Sequence, residues 1–213
     1  MVVISSARFA MLASMAALLT TFGVARFIYT PLLPIMQESM GFGDDWAGYL
    51  ASANYVGYLL GALAATQVHS LGQKQTLLRI AVVVAALTNI GMGLTQQEVA
   101  WVVLRFLSGL CSAGGMIIGS SLLMLATPPA KSSETLSIHF SAVGWGLALG
   151  ALWVLLFKNS QNRSELWISS GLLIVIMGAP ALRFNGWSIH PLKQQAIDQA
   201  KDIPIAKALL ILV

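Results

Sequence analysis

Six apolar runs dominate this chain, at roughly residues 9–36, 46–68, 76–95, 100–126, 136–157 and 165–182. A helix needs about 20 predominantly apolar residues to cross the hydrocarbon core of a bilayer. With no water in that core, a spanning segment must bond its own backbone groups, so runs of this length read as transmembrane helices. Composition agrees: 57% of residues are hydrophobic and only 9% are charged, where a soluble domain keeps close to a quarter charged. The expected fold class is all-α, a polytopic membrane protein with a six-helix bundle over residues 1–182. Residues 183–202 read as a polar linker whose IDQAKD portion forms a short surface helix. A seventh apolar stretch, from Ile203 to Val213, supplies only about half a span and reads as the truncated start of a further helix.

The first run continues through Arg26 and Tyr29 into Pro31 and Pro34 without a short apolar core and cleavage site, so it reads as a true span and not as a removable leader. Prolines that deep are expected to kink or end the helix, leaving its outer end irregular.

Positive charge sets the orientation. Arg8, Lys74, Arg79, Lys131, Arg183, Lys193, Lys201 and Lys207 fall on one side, and only Lys158 and Arg163 on the other. The N-terminus is therefore expected in the cytoplasm. The basic residues are spread over several loops and form no clustered face, which argues against nucleic acid. The single Cys111 has no partner for an internal disulfide and reads as a small packing residue. His69, His139 and His190 lie far apart, so no metal is assigned, and no cofactor either. No nucleophile with a base, no carboxylate pair and no phosphate-binding loop suggests an enzyme.

Two arginines, Arg26 and Arg105, lie inside the first and fourth runs, and no Asp or Glu lies in the interior of any run. A cation in hydrocarbon costs at least ~2.5 kcal/mol and faces a cavity, a partner or a polar ligand. Arg105, Ser108, Gly109 and Ser112 recur at helical spacing and share a face. Such a face lines a polar path, or else the arginine bonds backbone carbonyls of a neighbouring helix. Tyr29, Asn54, Tyr55 and Trp145 are further candidates to line a solute site. For Tyr29 the alternative is a place in the interfacial aromatic belt, for Asn54 a bond to another helix, and for Trp145 packing. Guanidinium groups without acids favour carboxylate or phosphate ligands, which makes a small organic anion the leading solute. Gly57 and Gly61, Gly115 and Gly119, and Gly146 and Gly150 each form a GxxxG pair, predicting tight contacts for the second, fourth and fifth helices.

The element from Arg105 through Gly109 to Ser112, Ala113 and Gly114 resembles the RxxxG element in the fourth helix of the major facilitator superfamily. Gly72, Gln73 and Lys74 with Leu77 resemble its cytoplasmic signature between helices two and three, although His69 and Gln73 stand where the family has Asp and Arg. GWGLALG, Gly144 to Gly150, is similar to the superfamily's glycine-rich fifth helix without its Gly-Pro pair. GVARFIYTPLLPIM, Gly23 to Met36, resembles the YbfB/YjiJ-like branch. The resemblance implies two six-helix halves, with solute bound between them at the midplane and helices one, two, four and five lining the cavity. It also implies gating or packing roles for Gly57, Gly61, Gly72, Lys74, Gly109, Gly115, Gly119, Gly146 and Gly150.

Two functions follow. The chain is half of a permease that moves an organic anion by alternating access, with a missing C-terminal half or a second six-helix unit as partner. Alternatively it is a non-transporting scaffold or an inactive shortened permease. Proton coupling calls for an intramembrane Asp, Glu or His, and the runs offer only His139.

Overall fold

The structure, a computed structural model, describes residues 2–159 and 162–201. Residues 203–213, where a seventh span is expected to begin, lie outside the described residues.

Among the described residues seven helices follow one another, with a short 3-10 turn at Pro129–Lys131. Helix α1 covers residues 2–40 and is built from Val2–Leu18, a wide π-helical turn over Leu19–Val24, Ala25–Phe27 and Tyr29–Met40. Helix α2 is Asp44–Thr66 and α3 is Leu71–Leu94. Helix α4 covers residues 98–126, again with a π-helical turn, at Gly114–Gly119. Helices α5 (Ser132–Phe157), α6 (Arg163–Arg183) and α7 (Pro191–Lys201) complete the order. The α7 helix is longer than the IDQAKD segment expected from sequence.

Five of these helices, α1, α3, α4, α5 and α6, are long and apolar enough to cross a membrane, against the six expected. The exception is α2. It has 23 residues, but Asp44, Asp45, Asn54 and the tyrosines 49, 55 and 58 dilute its apolar content.

Helix α1 does not end at its prolines. It runs to Met40 and stops at Gly41, whose positive φ of 71° closes the helix. The irregularity lies earlier, at Ile28 and in the Leu19–Val24 turn. Pro31 and Pro34 remove two N–H donors and so leave the carbonyls of Phe27 and Thr30 without their usual partners, near the end of the helix. Within the wide turn, the hydroxyls of Thr20 and Thr21 donate back to the carbonyls of Ala16 and Ala17, each at 2.7 Å. Such back-bonding competes with the regular ladder and bends helices.

Lipid tails are as apolar as leucine, so hydrophobicity drives these helices into the bilayer but not onto one another. Close backbone approach and interhelical hydrogen bonds do the latter. Helix α1 lies centrally against α4, α5 and α6, while α2 runs along α4 and α3 fits against both α4 and α6. A Cβ added at Gly57 would fall 2.0 Å from the carbonyl oxygen of Phe106, and one at Gly61 would fall 2.9 Å from that of Leu110. Gly115 meets Thr21 Oγ1 and the Ala17 carbonyl, so the wide turns of α1 and α4 abut. Gly146 crosses Gly23 of α1, with a Cβ 2.6 Å from its Cα. The tight partner of α5 is therefore α1.

Gly119 and Gly150 mediate no comparable approach, since a Cβ there would meet neighbours only at ordinary contact, 3.6 and 3.7 Å. Gly72 has open space around it. Lys74 donates to Ser121 Oγ at 2.6 Å, tying α3 to α4.

Caps fix two helix starts. Ser70 accepts from Gln73 N, opening α3. Asn162 and Glu165 form a reciprocal capping box at α6, at 3.0 and 3.1 Å. After α6, the segment leading to α7 folds back on α3 and α4. Arg79 donates to the Phe184 carbonyl at 2.8 Å, His190 N donates to the Leu125 carbonyl at 2.8 Å, and Lys193 donates to that of Met124. Partial burial holds the Lys193 ammonium below the usual lysine pKa.

Candidate functional site

The two intramembrane arginines meet where α1 crosses α4. Arg105 is 3% exposed, and its Nη2 donates to the Arg26 carbonyl at 3.2 Å. Its guanidinium lies over the Tyr29 ring, 4.5 Å from the centroid. Tyr29 in turn donates its hydroxyl to the Ala47 carbonyl at 3.0 Å, which joins α1 to the start of α2 and holds the ring beneath Arg105. Asn54 donates to the Arg105 carbonyl at 2.9 Å. A Cβ at Gly109 would fall 2.0 Å from the Asn54 carbonyl oxygen, so the amide bond and the close approach fix α2 against α4 together.

Arg26 is 7% exposed and sits inside a ring cluster. Its Cζ lies 4.8 Å from the Phe22 centroid, 4.8 Å from that of Tyr55, 4.6 Å from that of Tyr58 and 5.9 Å from that of Phe27. Aromatic faces attract a guanidinium through their quadrupoles, more strongly once water is excluded. Phe22 stands edge-on to Phe27 and to Tyr58, at 5.5 and 5.7 Å between centroids, so these three rings brace one another.

Neither arginine is fully satisfied. Arg26 Nη1 and Arg105 Nε are buried without a hydrogen-bond partner. Ring faces and the Tyr55 hydroxyl offset part of the desolvation cost, but Arg26 Nη1 and Arg105 Nε keep no acceptor. Two cations with free N–H groups and, among the described residues, no acid beside them make an electropositive centre inside the bundle.

Several sequence candidates turn away from any hollow. Ser112 donates to the carbonyls of Thr21 and Ser108, both at 2.9 Å, and Ser108 reaches the Ala25 carbonyl at 3.5 Å. Their hydroxyls serve the α1–α4 contact and do not line an open polar path. Asn54 likewise serves the α2–α4 contact. Trp145 is 65% exposed on α5, and among the described residues it has no contact with either arginine. Tyr55 is exposed on α2 with its ring against Arg26.

Phe22, Phe27 and Tyr58 were not singled out from the sequence. A signal was there for Phe22, which stands one helical turn before Arg26 and so on its face. Tyr58 comes from another helix, and no spacing could announce it. His139 is fully buried on α5 with both ring nitrogens lacking partners, next to Gly119 of α4 and apart from the arginine centre. An apolar hollow of about 300 Å³ lies between α2, α3 and α4, lined by Gly61, Ala81, Cys111 and Gly114 among others, and none of its walls is charged.

Helices that satisfy their own backbones, pack through glycines and expose leucines outward define a multi-pass membrane protein. A buried cationic centre within it fits a carrier of solutes. The family model described as "Uncharacterised MFS-type transporter YbfB" matches residues 18–207, and the chain belongs to this family of transporters. That family is not one of enzymes. No curated protein matches the chain.

Proposed function

We propose that this transporter moves a small organic anion across a bacterial inner membrane by alternating access, with Arg26 and Arg105 attracting the anion and Tyr29 and Tyr55 shaping its site. The observation that carries this reading is the pair of buried guanidinium groups, each with an unpartnered N–H and without a carboxylate to neutralise it. A structural pair would be expected to spend those donors on carbonyls. Here Arg105 does so with one nitrogen only.

Helix α2 crosses the bilayer as the sixth span in this reading, with Asn54 turned toward α4 and Tyr55 and Tyr58 against Arg26. The reading also has the chain working with a second six-helix unit. What supports this is the exposed surface of α2 and α5, where Tyr49, Leu59 and Leu63 stand on one helix and Trp145, Leu152 and Leu155 on the other. The N-terminus is cytoplasmic, on the strength of the lysine and arginine distribution.

Uptake of radiolabelled solutes by cells producing the protein tests the proposal. Small carboxylates should enter faster than in cells lacking it, neutral solutes of equal size should not, and Arg26→Ala and Arg105→Ala should each abolish the difference with membrane insertion intact. Unchanged carboxylate transport in both variants would remove the arginines from the site.

A further inference from the structure

The ring cluster around Arg26 is lopsided. Phe22 stands edge to face with both Phe27 and Tyr58, whereas the Tyr55 ring has no ring partner among the described residues and is 61% exposed. One face of Tyr55 covers the guanidinium, and the rest of the side chain projects out of the bundle. Meanwhile Arg26 Nη1 is buried and unpartnered. In this arrangement a carboxylate reaches that nitrogen only if something moves, and Tyr55, held through Arg26 itself, is the ring of the cluster that no other ring braces among the described residues.

Moving Tyr55 forfeits its cation–π contact with Arg26. An aliphatic carboxylate supplies the anion but leaves that face of the guanidinium bare. A ligand with an aromatic ring next to its carboxylate supplies the anion and also a π-face to replace the one withdrawn. We propose that the Arg26 site selects aromatic carboxylates, and that Tyr55 is a displaceable lid whose ring the ligand's own ring replaces. This rests on the anion reading above and narrows it to one class of anion.

Calorimetric titration of the purified full-length chain tests it with three probes of similar size: benzoate, cyclohexanecarboxylate and benzamide. A cation–π contact at a partly desolvated site corresponds to roughly a 3- to 30-fold difference in affinity, so benzoate should bind tighter than cyclohexanecarboxylate by that factor. Benzamide, which has the ring without the charge, should not saturate the site. Equal affinities for the two carboxylates would overturn the aromatic selection while leaving the anion reading intact. Benzamide binding as tightly as benzoate, or no saturable binding by any probe, would overturn both.

The lid makes a prediction of opposite sign to that for an ordinary binding wall. Tyr55→Leu removes the competing ring, so both carboxylates should bind roughly 3- to 30-fold tighter with their ratio preserved. Because Tyr55 is exposed, the change should not disturb the fold, which circular dichroism checks. Weaker binding by Tyr55→Leu would show that the ring is a wall and sink the lid.

Discussion

Replacing Gly109 with alanine places a methyl group where α2 and α4 already touch. The added Cβ would lie 2.0 Å from the Asn54 carbonyl oxygen, 2.9 Å from its carbon and 2.9 Å from the Tyr58 nitrogen. All three are backbone atoms, so no side chain can rotate away. A carbon and a carbonyl oxygen settle at about 3.3 Å, so the helices must part by roughly 1.3 Å at this point. Overpacking of this kind costs about 1–3 kcal/mol. Separation would also stretch the 2.9 Å bond from Asn54 to the Arg105 carbonyl. An interhelical bond in a membrane contributes about 0.6–1.7 kcal/mol. Together the expected loss is about 2–4 kcal/mol. Unfolding in mixed micelles of increasing sodium dodecyl sulfate fraction, followed by tryptophan fluorescence, measures it. Gly72→Ala and Gly144→Ala are the controls, since neither added Cβ has a neighbour within 4 Å, and both should stay within about 0.5 kcal/mol of wild type. If Gly109→Ala unfolds together with those controls, the α2–α4 backbone contact described above is wrong.

The same titration checks three further expectations. Arg105→Lys keeps the charge but loses the planar group over Tyr29 and the fork that reaches the Arg26 carbonyl, and should destabilise by about 1–3 kcal/mol. Tyr29→Phe keeps the ring and loses only the bond to the Ala47 carbonyl, for about 1 kcal/mol. Asn162→Ala removes the capping side chain of α6 and should cost about 1 kcal/mol, seen also as faster amide exchange in its first turn.

The parts of this protein dictated by the bilayer were legible in its sequence, because runs of spanning length admit one backbone structure. Helix α2 was read as a sixth equal span from its length, but Asp44, Asp45 and Asn54 leave it less apolar than the others. Of the two outcomes Pro31 and Pro34 allow, the helix shows the interruption and not the end: it breaks at Ile28, in the turn before Pro31, and then runs on to Met40. The positions of Arg26 and Arg105 in apolar runs mark them as a place to look, since charge in hydrocarbon demands an explanation. Their surroundings were not readable. Ser108 and Ser112 share a face with Arg105, but periodicity does not say whether that face meets a cavity or a carbonyl-bearing neighbour. The glycine pairs told the same story in part: Gly57, Gly61, Gly115 and Gly146 are at close crossings, while Gly119 and Gly150, with identical spacing, are not. The cage around Arg26 gathers rings from α1 and α2, and such convergence belongs to tertiary packing alone.

The claim that Arg26 and Arg105 form an anion site, and are not merely buried cations, is tested most directly by saturation binding of labelled benzoate to Arg26→Gln and Arg163→Gln side by side. Arg163 is also buried at 6% exposure, lies over the Trp101 ring at 5.1 Å and donates to the Met92 carbonyl, so it controls for losing any buried arginine. A charge-assisted bond to a carboxylate contributes about 1.5–3 kcal/mol, so Arg26→Gln should weaken binding at least roughly 10-fold and Arg163→Gln should leave it unchanged. Equal affinity in both variants, or a greater loss at Arg163, would contradict the account.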